Sequence, residues 1–170
     1  ARYMLYRPGS TDAANNLACA QRDQLRFAKA IETLRPVIYA NPESGLLWNT
    51  LGTILAEQGE MEQAIIFFDE TLRLDPNYSK ARYNRGNARL ALGDPKGALE
   101  DCEAAMPGVI IEDKDWTVSV HFRLADPALV PRLRAVVEGA AAAHDVRVLE
   151  GKKVLEIRPL APVHKGTAVL

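Results

Sequence analysis

Residues 48–76, WNTLGTILAEQGEMEQAIIFFDETLRLDP, read as two helices folded back on one another. Gly52 and Ala64 are small where two antiparallel helices must approach closely, Gly59 ends the first helix, and Pro76 stops the second. The same pattern recurs on either side of the stretch. Ala30, Ala64 and Ala98 fall 34 residues apart, as do Pro42 and Pro76, Gly52 and Gly86, and Gly59 and Gly93. A fixed period of that length predicts stacked helical hairpins, because one hairpin cannot bury its apolar stripe alone.

Trp48, Leu51, Gly52, Gly59, Ala64, Phe68 and Pro76 stand in the order of the tetratricopeptide signature, and this part of the chain resembles that family. Three repeats are expected within residues 1–107, at about 11–44, 45–78 and 79–107. The first is degenerate, with Ala14, Ala18 and Leu25 where the family has Trp, Gly and Gly. The resemblance implies a short superhelix whose concave face takes a peptide or protein partner. Some members grip a terminal carboxylate with basic side chains. The matching positions here hold Asn15, Cys19, Thr50, Lys80 and Asn84, of which only Lys80 fits that role. A polar groove lined by Asn49, Lys80 and Asn84 is the expectation. Arg82, Arg85 and Arg89 form a basic stripe whose stems are expected to cover apolar surface while the charged ends meet water.

After Met106-Pro107-Gly108 the apolar spacing changes from helical to alternating, which puts a boundary there and makes residues 108–170 a second part. Trp116, Val118, Val120 and Phe122 alternate with Thr117, Ser119, His121 and Arg123, the pattern of a half-buried strand. A helix follows, with Asp126 as its cap and Pro127 in first position, and then VRVLE, a Gly151-Lys152 turn and KVLEIRP. The order predicts a small antiparallel four-stranded sheet under one helix, so the fold class is helical hairpins followed by an α/β segment.

PGVIIEDKDWTVSVHFR, followed after the helix by VRVLEGKKVLEIRPLAPVHKGTAVL, looks like the cap domain of trehalose-6-phosphate phosphatases, within the haloacid dehalogenase superfamily, and the return of the chain toward their catalytic core. The resemblance covers roughly residues 107–170. It implies that Glu112, Lys114 and Glu156 bond sugar hydroxyls, with His121, Arg123 and Arg158 on the same face. It also implies that Lys165 stands on the phosphate side. Independently, the alternation puts Glu112, Lys114 and Glu156 on the face away from the apolar positions, where carboxylates and an ammonium suit a polyol. Without the resemblance the same residues read as a solvated ion-pair ladder.

Asp113-Lys114-Asp115 also matches the D-x-D of phosphatase nucleophile loops, but a second strand begins almost at once, and the stretch reads as a charged hairpin. In the resembling enzymes the nucleophile motif precedes the cap and the acidic magnesium motif follows it, whereas repeats stand first here. No catalytic residue, cofactor or metal ligand is therefore expected, and magnesium enters only if a catalytic core is supplied. His121, His144 and His164 lack a nucleophile-elbow context. Across 170 residues, 48% apolar and 25% charged with a net charge of −1, there is no basic field for nucleic acid and no membrane-length apolar run. Cys19 and Cys102 read as buried free thiols, and the chain as cytoplasmic. The expectation is a non-catalytic protein-interaction module fused to an isolated phosphatase cap. The alternatives are a fragment of a trehalose-6-phosphate phosphatase, with trehalose or its 6-phosphate at the cap face, and a structural chimera without ligand.

Overall fold

The computed structural model describes residues 10–114, 117–142 and 144–160. The chain divides into two compact units, Ala1–Ala88 and Arg89–Leu170. Six helices come first: α1 (Thr11–Asp23), α2 (Phe27–Ala40), α3 (Gly45–Glu57), α4 (Met61–Leu74), α5 (Ser79–Ala91) and α6 (Pro95–Ala105).

Local chemistry sets their ends. The Ser10 hydroxyl accepts from the Ala13 N–H at 3.3 Å, and Asp94 accepts from the Gly97 N–H at 2.9 Å, satisfying donors that an open helix start leaves bare. The turns inside the hairpins use left-handed residues at the same point of the period: Leu25 at φ 58°, Gly59 at φ 88° and Gly93 at φ 79°. Glycine does this without a Cβ penalty. Leu25 does not.

In the first unit, Ala14, Ala18, Ala30, Leu34, Leu47 and Ile54 are buried together. Phe68 is fully buried in a neighbouring cluster with Ala64 and Leu55, and burying a side chain of that size contributes about 1.5–3 kcal/mol. Gly52 makes the approach of α3 and α4 possible, because a Cβ there would lie 2.7 Å from Phe68 Cε1 and 3.2 Å from the Ala64 carbonyl. Trp48 stacks on Phe67 with ring centroids 5.6 Å apart, and its indole N–H donates to the Pro42 carbonyl at 2.7 Å.

The second unit holds a sheet of β1 (Ile110–Asp113), β2 (Val118–His121), β3 (Val146–Gly151) and β4 (Val154–Pro159), in the order β1-β2-β4-β3 and antiparallel throughout. One helix covers it, α7 (Val130–Ala142), whose Leu133, Val136, Val137 and Ala140 are buried. Asp126 caps it as the sequence predicts, accepting from the Ala128 N–H, but the first turn, Pro127–Leu129, is a 3-10 turn rather than α-helix. The division between units falls inside α5, ahead of the boundary at 107 that the change of period suggests. The reason is that α6 buries its apolar side against α7 and β1, and its Glu103 carboxylate accepts the Ile111 N–H at 2.9 Å. Among the described residues no helix is long and apolar enough to cross a membrane.

Candidate binding surfaces

The polar positions of α3 and α5 meet in the first unit. Asn84 Nδ2 donates to Asn49 Oδ1 and to Thr53 Oγ1, both at 3.3 Å, while the Thr53 hydroxyl donates to the Asn49 carbonyl at 2.8 Å. One repeat earlier, Thr50 Oγ1 donates to Asn15 Oδ1 at 2.6 Å. These bonds form a ladder of uncharged side chains along the first helices of the repeats.

Asn84 lines a cleft of about 240 Å³. Its floor is Ala56, Met61, Phe68 and Ala88, and its polar groups are Thr53, Glu57, Asn84 and Asn87. Glu57 is the single formally charged group there, and the Arg22 guanidinium lies 3.5 Å from it. Of the three groove residues expected from sequence, only Asn84 lines the cleft. Asn49 is 2% exposed and holds Asn84 from beneath, and Lys80 is exposed on the first turn of α5, outside the cleft. Thr53 and Asn87 were missed. Their signal was helical spacing, one turn from Asn49 and Asn84 respectively.

The basic stripe is engaged internally. Arg82 donates twice to the Pro76 carbonyl, Arg85 pairs with Asp69 at 2.6 Å, and Arg89 meets the buried Asp101 at 3.1 Å. The guanidinium groups are thus bonded to protein rather than simply standing in water.

In the second unit the register places Glu112, Ser119 and Glu156 side by side across β1, β2 and β4. With a side-chain period of two, His121 and Arg158 share that face, while Leu155 and Ile157 point to the covered one. Lys114 Nζ lies 2.8 Å from Glu112 Oε2, and His121 Nε2 lies 3.4 Å from the same oxygen. Arg158 pairs with Glu156 two residues away on the same strand. The Lys114 ammonium, and secondarily the His121 ring, hold the Glu112 carboxyl below the usual glutamate range. Ser119, buried at 3% exposure between the two acids, was not singled out in sequence, although its strand parity places it there. Arg123 is exposed two residues past the end of β2. Lys165 lies outside the described residues.

Asp113 is the exposed last residue of β1, and the Lys114 N–H donates to the Thr117 carbonyl at 2.8 Å, while Asp115 and Trp116 lie outside the described residues. Both cysteines are free. Cys102 is buried and Cys19 only partly so.

Helical hairpins in contact through small residues, with left-handed turns at one point of a 34-residue period, define a tetratricopeptide-repeat array. A small antiparallel sheet under a helix completes the fold. Comparison with known proteins divides along the same lines: residues 15–79 and 67–100 match family models described as tetratricopeptide repeat, and residues 95–170 match the family described as trehalose-phosphatase. Protein FlbA of Caulobacter vibrioides is 55% identical over 106 residues, 62% of this chain and 18% of FlbA. A probable trehalose-phosphate phosphatase 3 of Oryza sativa is 39% identical over 75 residues, 42% of this chain and 20% of that protein. The chain thus spans no more than a fifth of the length of these two curated relatives. Among solved structures, the second tetratricopeptide domain of Spaghetti (RPAP3), bound to the HSP90 peptide SRMEEVD, superposes with a TM-score of 0.53 at 26% identity. That likeness covers 55% of this chain and 86% of the other.

Proposed function

We propose that the repeat unit is a peptide-binding module that grips a partner segment by its backbone, at the cleft carrying Asn84, rather than by a terminal carboxylate. The observation behind this reading is the bonding of Asn84. Asn49 and Thr53 both accept from its NH2 group, which fixes the plane of the amide at the cleft lip. A side-chain amide offers both a carbonyl acceptor and N–H donors, the complement of a peptide unit, and Asn87 repeats that chemistry one turn along. No lysine or arginine lines the cleft, and Glu57 disfavours an anion. The repeat domain of RPAP3 takes an acidic heptapeptide; here a neutral or basic segment suits the groups present.

The test is a titration of the isotope-labelled chain with SRMEEVD, its C-terminal amide, and the amidated sequence SRMKKVD. Amide shifts at Met61, Asn84 and Asn87 are expected with the basic amide, weakened about tenfold for the free carboxylate and lost in Asn84→Ala. Preference for the free carboxylate would overturn the reading.

A second reading concerns the sheet. Residues 95–170 match the trehalose-phosphatase family, and the row Glu112, Ser119 and Glu156 with Lys114 and Arg158 supports a face that bonds sugar hydroxyls. In this reading the surface recognises trehalose or trehalose 6-phosphate, and a magnesium-dependent step would belong to a catalytic core beyond the described residues. Shifts at Glu112, Ser119 and Glu156 on adding trehalose 6-phosphate, absent in Glu112→Gln, are the expected result; no shifts at millimolar sugar would count against it.

A further inference from the structure

The helical unit carries a second concavity that shares no residue with the cleft at Asn84. It has a volume of about 730 Å³ and runs between α2 and α4, with α3 as its floor. Its apolar surface comes from three helices: Ile31 and Ile38 from α2 and Trp48, Leu51 and Leu55 from α3, both at helical spacing, and Phe67 alone from α4. The α2 stripe extends from Ile31 to Tyr39, and at about 1.5 Å per residue that is room for roughly two turns of a docked helix. The Trp48–Phe67 stack and the indole bond to Pro42 fix part of the floor.

The charge at the groove has one sign. Arg35 is the single formally charged side chain lining it, and no carboxylate does. Among the described residues Arg35 takes no hydrogen-bond or ionic partner, whereas Arg22, Arg73 and Arg85 of the same unit each hold a carboxylate. Tyr39, 90% exposed, adds an aromatic face with a hydroxyl at the rim. An apolar floor with one cation at its edge that no carboxylate among the described residues holds complements an apolar segment that carries acid.

We propose that this groove docks a short amphipathic helix from a partner protein, presenting apolar anchors at i, i+3 or i+4, and i+7, with an acidic residue placed against Arg35. The two stripes of α2 and α3, closed on the third side by Phe67, favour a helix as occupant, since its own ridge of side chains has matching spacing. The surface is independent of the peptide cleft, so the unit would hold two partners, or two parts of one.

The experiment uses the full chain and a hydrocarbon-stapled helical peptide with leucines at i, i+3 and i+7 and glutamates on the flank, alongside the same peptide with lysines for glutamates. The acidic peptide is expected to shift Ile31, Tyr39, Trp48 and Leu51, and to bind at least tenfold tighter than the basic one. Arg35→Glu, a change at an exposed position, should reverse that preference. Tyr39→Ser should weaken binding severalfold at an unchanged melting temperature. Absence of binding at millimolar peptide, equal affinity for both peptides, or shifts at Asn84 and Asn87 in place of the groove would overturn the proposal. So would a concentration-dependent dimer in sedimentation that Arg35→Glu abolishes, because the occupant would then be a second copy of this chain.

Discussion

Asn84 on α5 donates its side-chain amide to Asn49 on α3 at 3.3 Å, and the acceptor is almost completely buried while the donor reaches the surface. The pair joins the first helices of two successive repeats with a neutral bond. Removing the buried partner leaves a small void and one amide proton without its acceptor. Asn49→Ala is expected to cost about 1–3 kcal/mol in urea denaturation. A loss of only a few tenths would show that the bond is replaced by water.

Leu25 is the clearest site for stabilisation. It occupies, at φ 58°, the point of the hairpin turn where the later repeats place Gly59 and Gly93, and its side chain is 75% exposed. The left-handed conformation costs a residue with a Cβ about 1–2 kcal/mol, and little packing would be lost on truncation. Part of that gain is offset by the greater freedom of glycine in the unfolded chain. Leu25→Gly should therefore raise stability by about 0.5–1 kcal/mol, visible as a higher melting temperature; an unchanged or lower one would mean that the turn is not strained.

Glu112 should titrate low. Its folded carboxyl ionises more readily than in the unfolded chain because Lys114, and secondarily His121, favour the charged form. The contribution of this pairing to stability is thus present above the unfolded glutamate value and is lost as pH falls through the lower folded one. A carboxyl titration followed by NMR should find the midpoint below the ordinary glutamate range, moving upward in Lys114→Gln.

Cys102 should resist alkylation. Burial, reinforced by the negative charges of Asp101 and Glu103, pushes its thiol up to about 11, so little thiolate exists at pH 8. Its sulfur is also within 3.7 Å of Met106 Sδ. Iodoacetamide followed by mass spectrometry should label the partly exposed Cys19 first and Cys102 only when the chain unfolds. Equal rates would contradict the packing of α6.

The helical repeats were legible because their constraints are periodic. Gly52 must face Phe68 and Gly59 must take a left-handed turn, and both needs recur at a fixed interval in the sequence. The sheet was legible because the alternation in β2 and β4 assigns each residue to a face. What stayed hidden depends on contacts between distant elements. Nothing local marks Asn49 as buried beneath Asn84, or Arg89 as the partner of Asp101. The groove with Arg35 was hidden for the same reason, since its apolar side chains lie on three separate helices and on each read alone as ordinary core spacing. The earlier division of the chain, inside α5, likewise follows from what α6 packs against rather than from its own composition.

The strand order has a kinetic consequence. The two central strands, β2 and β4, pair Val118 with Ile157 and Val120 with Leu155, and α7 and β3 lie between them in the chain. That pairing closes a long loop, so its entropy must be spent before the sheet gains anything, whereas each helical hairpin joins neighbours only a few residues apart. Rapid-dilution refolding should then show two phases: helical signal from the repeats within roughly microseconds to milliseconds, and the meeting of β2 with β4 trailing behind it. Until that second event β2 has only β1 beside it and β4 only β3, so each keeps one open edge, and these edges are the stretch of this molecule most exposed to wrong pairing with another chain.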